Sequence, residues 1–119
     1  MLRFACSILA ASVAVFLAAS VAAQPALADS SCADLKVCFW EHANYDGDKV
    51  SFDAGDAGDD LNLGAFDRSV KNKFGSRRVQ IKDSGLNVVE CVDAGENLNN
   101  LPPTAQKFRV GTTGSSCPS

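Results

Sequence analysis

From residue 30 onward the apolar residues come in short clusters: "LKVCFW" (35–40), "DKVSF" (48–52), "RRVQIK" (77–82), "NVVECV" (87–92) and "QKFRV" (106–110). Several alternate apolar with polar residues, and none sustains the three- and four-residue spacing of a helix face. Gly, Asn, Asp and Pro separate them, which predicts a chain of short β-strands joined by turns. The pattern also repeats. "KVCFWEH" (36–42) parallels "RVQIKDS" (78–84), Asp53-Ala54-Gly55 parallels Asp93-Ala94-Gly95, Leu61 parallels Leu101, and Val70 parallels Val110. The offset is 42 residues at the start and 40 from the DAG onward, so the second copy should have a first hairpin two residues shorter. On this alignment Asp56 to Asp60 is the part of the first copy without a counterpart. Two copies of about 40 residues, each with about four strands, fit two Greek keys packed as a sandwich.

Only the amino terminus departs from this pattern. A positive start at Arg3, an apolar run from Ser7 to Ala23 and the small-residue step Ala26-Leu27-Ala28 have the layout of a secretory signal peptide over 1–28. The expected mature protein is one domain, residues 29–119, secreted and extracellular, with a first key at about 35–74, a second at about 76–112 and a Gly/Ser-rich tail over 111–119. Removing the signal takes Arg3 and Cys6, so the net charge moves from −3 to −4, which argues against a nucleic-acid partner. Cys32, Cys38, Cys91 and Cys117 remain, an even set in an exported chain, and two disulfides follow. Three pairings are open; proximity favours Cys32–Cys38 and Cys91–Cys117. His42 is the only histidine, too few for a zinc site of paired Cys/His spacing.

In the first copy, Trp40-Glu41-His42-Ala43-Asn44-Tyr45-Asp46-Gly47 sets two aromatic residues ahead of a glycine. Gly47 would supply a positive φ where a hairpin folds back over its sheet, with an aromatic ring covering the fold. Here the chain resembles the βγ-crystallin Greek-key signature, in which Ser69 takes the place of the serine that ties the folded hairpin to the sheet and Val70 that of a core aliphatic. More narrowly it is similar to the small secreted actinobacterial proteins of the Streptomyces metalloproteinase inhibitor family. The carrying residues are Cys32-x5-Cys38 before an aromatic strand, Tyr45-x-Gly47, "FDRSVKN" (66–72) and "LNNLPPTAQKFRVG" (98–111). The second copy departs from the signature, with "DSGLNVV" (83–89) where the aromatic-x-Gly turn would fall.

The resemblance implies an all-β, βγ-crystallin-like sandwich of two Greek keys stapled by disulfides. It also implies a monomeric inhibitor that places a rigid loop in the active-site cleft of an extracellular thermolysin-like zinc peptidase. Candidate loop residues are Leu86, Asn87, Val88, Cys91 and Val92; the alternative is that Val88, Val89 and Val92 simply fill the core as strand residues. The family's long cysteine-braced excursion is missing, since about six residues separate Lys82 from Val89. Many such domains bind calcium through an N/D-N/D-x-x-S/T-S segment. Aligning its end to Ser69-Val70 puts Gly64 and Ala65 at the acidic positions and Arg68 at a hydroxyl position, so no cofactor is expected and calcium binding is disfavoured.

Charge patterning supplies a different class of function. Arg68, Lys71, Lys73, Arg77, Arg78 and Lys82 form a basic ribbon that, with Phe74, would suit a killer-toxin-like or cell-surface binding module; the plainer account is a solvated hairpin complementing the acids between Glu41 and Asp60. A passive extracellular domain with weak calcium binding is the third alternative. Nothing supports an enzyme: no nucleophile motif serves His42, no phosphate loop appears, and no stable membrane insertion is expected after signal removal.

Overall fold

A computed structural model describes residues 29–118; the signal-peptide expectation for 1–28 lies outside the described residues. Eight strands follow in order: β1 Val37–His42, β2 Asp46–Phe52, β3 Leu61–Asn62, β4 Ser69–Asn72, β5 Val79–Lys82, β6 Val88–Val92, β7 Asn97–Leu98 and β8 Lys107–Val110. The five apolar runs of the sequence become β1, β2, β5, β6 and β8. The other three strands, β3, β4 and β7, have no apolar run of their own and exist because neighbours pair with them.

Two antiparallel four-stranded sheets result, ordered β2-β1-β4-β7 and β3-β8-β5-β6. Each key contributes three strands to its own sheet and sends its third strand, β3 or β7, to the edge of the other. The keys are thereby laced together, and the molecule is a βγ-crystallin-like sandwich. Between the sheets lie Val37, Phe39, Val70, Val79, Ile81, Val92, Phe108 and Val110, with Leu63, Phe74, Leu101 and Ala105 closing the ends. Phe108 anchors this core, its ring 4.6 Å from that of Phe39 and 4.7 Å from that of Phe52. Alternation puts Cys38 and Trp40 on the opposite face of β1, yet both are also buried, so that strand is covered on both sides.

Strand register corrects the alignment of the two copies. Val37 pairs with Phe52 and Val79 with Val92, which keeps the shorter second hairpin. Further on, Phe39 pairs with Val70 but Ile81 with Phe108, and Val37 pairs with Asn72 but Val79 with Val110. Val70 therefore corresponds to Phe108, and the counterpart of Val110 is Asn72. Leu61 opposes Phe108 and Leu98 opposes Val70, so Leu61 corresponds to Leu98. Leu101 matches Leu63 instead: the Leu63 amide donates to Gln106 and the Leu101 amide to Arg68.

The DAG step moves as well. Gly58 N–H donates to Val110 and Gly95 N–H to Asn72, while Asp59 N–H returns to Asp56 and Glu96 N–H to Asp93. Gly58 and Gly95 share a positive φ of 89° and 79°, a conformation that favours glycine. Asp93-Ala94-Gly95 is thus the counterpart of Asp56-Ala57-Gly58, and Asp53-Ala54-Gly55 is the insertion. That insertion forms part of a short 3-10 turn, its start capped by Asp53 accepting from Gly55 N at 2.9 Å.

At Asn72 the cost of a buried polar side chain is met by three hydrogen bonds. Its Oδ1 accepts from Phe74 N, and its Nδ2 donates to the carbonyls of Arg77 and Val92. The end of β4 is thereby tied to the start of β5 and the end of β6.

Candidate functional site

Two turns carry the residues singled out in the sequence, and they are built differently. Between β1 and β2 the chain folds back through Ala43–Tyr45, with Asn44 and Tyr45 both in the left-handed region at φ 59° and 58°. Ser69, fully buried on β4, holds this fold: its Oγ donates to the His42 carbonyl at 2.7 Å and accepts from Tyr45 N–H at 3.1 Å. Tyr45 then stands edge-on to Trp40, ring centres 5.3 Å apart, and the Lys71 ammonium lies 4.4 Å over the Tyr45 ring. Burial pushes the Tyr45 phenol above its ordinary pKa. At Gly47, φ is +83° and a Cβ would come within 2.6 Å of the His42 ring, so both conformation and space require glycine there. The strap Asp29–Ser31 completes the lid, Trp40 Nε1 donating to the Asp29 carbonyl at 2.8 Å and Lys49 Nζ to the Ser31 carbonyl at 2.8 Å.

The second turn, Asp83–Asn87 between β5 and β6, has no aromatic lid and is pinned from within. Asp83 Oδ1 accepts from Gly85 N–H at 3.0 Å and from Asn87 N–H at 2.9 Å. The backbone closes it further, Asp83 N–H donating to Asn87 and Leu86 N–H to Asp83. These donors, the Asn87 amide first, hold the Asp83 carboxyl below its usual pKa. Leu86 sits at φ 64° with its side chain 48% exposed, and Val88 is 50% exposed. A bulge in the β5–β6 pairing, between Ile81 and Lys82, adjoins the turn.

The proposed loop residues divide here. Leu86 and Val88 point to solvent, and Asn87 is occupied in closing the turn. Val92 is fully buried in the core, because alternation along β6 turns it inward, and it cannot enter a partner's pocket. Cys91 is half-buried and bonded to Cys117, as Cys32 is to Cys38. Behind the turn, Asp60 bridges Lys82 Nζ at 2.9 Å and Arg109 Nε at 3.0 Å. The Arg109 guanidinium and then Lys82 hold the Asp60 carboxyl below its ordinary value. Lys82 is thus a nearly buried ion-pair member at the root of the hairpin. Sequence reasoning grouped it with the exposed cations; no local pattern reveals that Asp60, 22 residues away, faces it.

Four of the six cations of the basic ribbon have partners within the domain, Lys82 in its ion pair with Asp60 among them. Lys71 donates to the Ser30 carbonyl, Arg77 to Gly111 and Thr113, and Arg78 to Ser116. Phe74 is buried in the core, because Asn72 Oδ1 fixes its amide and turns the chain inward. Arg68 and Lys73 are the cations of that ribbon left exposed. A polar cleft of about 340 Å³ opens beside β3, lined by Asn62, Gly64, Asp67 and Gln106. Among the described residues no three His, Cys, Asp or Glu side chains converge as metal ligands do.

No curated protein sequence matches the chain. Two solved structures resemble it, both of Abundant Perithecial Protein from Neurospora crassa. A crystal structure of a βγ-crystallin domain of that protein in the Ca2+-bound form aligns with a TM-score of 0.50 and 18% identity over 68% of this chain and 93% of that one. Another crystal structure of it aligns with a TM-score of 0.48 and 18% identity over 68% of this chain, and this chain accounts for 41% of that one's length. At this identity the likeness concerns the fold. The model of peptidase inhibitor family I36 matches residues 25–83, from before the Asp29–Ser31 strap through the Cys32–Cys38 ring and the folded hairpin to the first residue of the Asp83–Asn87 turn. The disulfide-bonded first key thus carries a likeness to peptidase inhibitor family I36 over just under half of the chain, and the kind of partner that likeness suggests is a peptidase.

Proposed function

We propose that the protein is a secreted inhibitor of thermolysin-like zinc metallopeptidases and that the Leu86–Val88 segment enters the peptidase cleft. The observation carrying this reading is the pinned Asp83–Asn87 turn, which presents Leu86 to solvent while Asp83 fixes the backbone from inside. A loop already ordered loses little conformational entropy on binding, and an exposed leucine suits an apolar specificity pocket. The disulfides suit an oxidising extracellular setting. The membrane-active alternative loses its motive, since Phe74 is in the core and four of the six cations are engaged within the domain.

Titrating the secreted protein against thermolysin tests the reading. Inhibition at or below micromolar protein is expected, and Leu86→Ala should weaken it about 10- to 100-fold, the worth of a leucine side chain taken out of water. No inhibition at micromolar excess, or a Leu86→Ala variant equal to wild type, sinks it.

A further inference from the structure

The most exposed large apolar side chain of the described residues is not in the hairpin. It is Leu35, 68% exposed, at the centre of the ring closed by Cys32–Cys38. Its φ is 61°, in the left-handed region, where Gly or Asn sits with less strain than leucine. The position therefore breaks two local rules at once, apolar in water and branched at positive φ, with no contact in the core to compensate. Leu86 breaks the same two rules. Rule-breaking held by a rigid surround is characteristic of recognition sites.

The surround is rigid at Leu35 also. The disulfide spans six residues, Leu35 N–H donates to the Lys73 carbonyl at 3.0 Å, and Lys73 N–H donates to the Lys36 carbonyl at 2.9 Å. The ring thus extends the β1–β4 ladder and stands as a fixed knob beside exposed Asp34 and Lys73.

Its place in the fold separates it from the hairpin. Leu35 precedes β1 at the end of the sheet where β4 finishes, and there Asn72 reaches Arg77 and Val92, the start of β5 and the end of β6. Leu86 follows the other end of β5, so the length of that four-residue strand, about 13 Å, lies between the two levels. The match to family I36 contains the whole Cys32–Cys38 ring and stops before Leu86.

We infer that the Leu35 ring is a second partner-binding head, which seats Leu35 in the apolar side-chain pocket of a peptidase independently of the Leu86 hairpin. Only the nature of the partner rests on the function proposed above. The domain is then two-headed and holds two peptidase molecules.

Stoichiometry decides it. The secreted protein and its Leu35→Ala, Leu86→Ala and double variants are titrated against thermolysin, with complex mass measured by light scattering after gel filtration. Leu35→Ala keeps the Cβ and hence the backbone cost, removing only the apolar knob; Leu35→Asp repeats the test with a charge. A thermal melt confirms that each variant is folded. With both proteins held just above the wild-type Kd, two peptidases per wild-type inhibitor, one per single variant and none for the double variant are expected, because the altered head is weakened about 10- to 100-fold. If Leu86→Ala is silent while Leu35→Ala abolishes inhibition, the ring stands as a head and the hairpin fails. A one-to-one wild-type complex indifferent to Leu35→Ala and Leu35→Asp overturns the second head and leaves the hairpin intact. A one-to-one complex weakened by both single variants overturns the independence of the heads, and no complex at all overturns both.

Discussion

Replacing Ser69 with alanine removes one oxygen and should cost the domain far more than its size suggests. In the native fold that oxygen makes two hydrogen bonds, to the His42 carbonyl at 2.7 Å and from Tyr45 N–H at 3.1 Å, and Ser69 is fully buried. Each such bond is worth about 1 kcal/mol net, and a donor left unpaired in a partly buried place costs about as much again. The bonds also restrain Asn44 and Tyr45, consecutive left-handed residues that each carry about 1–2 kcal/mol of backbone strain. A loss of about 2 kcal/mol is expected, or about 8–16 °C in Tm for a domain of this size. Urea unfolding followed by Trp40 fluorescence measures it, because Tyr45 and the turn form the lid over that indole. The exposed Ser51→Ala variant is the control and should stay within about 0.5 kcal/mol of wild type. A Ser69→Ala loss no larger than that control would refute the claim that the hydroxyl holds the hairpin folded.

Replacing Leu35 or Leu86 with asparagine should raise stability by about 0.5–1 kcal/mol each by easing the left-handed backbone, seen as a higher Tm alongside weaker peptidase binding. Changing Cys91 and Cys117 to serine opens a loop with a sequence separation of 26 and should cost about 3.5 kcal/mol on the chain-entropy estimate, read by the same urea titration. Asp83 and Asp60 have folded pKa values below their ordinary ones, so their contribution is fully present above the unfolded carboxylate range and is lost as pH falls through it toward the folded values. Denaturation midpoints should therefore drop below about pH 4, and Asp83→Asn should flatten that slope. Calcium is proposed to play no structural part, since Gly64 and Ala65 stand where a carboxylate pair would be needed; Tm should not move in millimolar calcium.

Much of this molecule is local and so is written locally. Alternating apolar runs gave β1, β2, β5, β6 and β8 because a strand's two faces follow directly from residue order. The turn at Gly47 was legible because φ of +83° and contact with His42 leave room for no side chain, and the even set Cys32, Cys38, Cys91 and Cys117 announced two disulfides. Of the loop candidates, Leu86 and Val88 are the ones whose apolar character next to turn residues goes with exposure in the fold.

The tertiary structure decided whatever depends on distant partners. β3 and β7 are two-residue strands that exist only because each crosses to the other key's sheet. Their exchange, with the insertion at Asp53–Gly55, slides the register so that Phe108, not Val110, answers Val70. Sequence identity alone misled there, because the DAG step occurs twice in "DAGDAG" and only hydrogen bonds to Asn72 and Val110 tell the copies apart. Val92 and Phe74 were drawn inward, and four cations found partners, through contacts no spacing rule describes. Leu35 shows the limit most plainly: the sequence places a leucine between two cysteines. Only the ladder to Lys73 and the ring closure turn it into a fixed, exposed, left-handed knob.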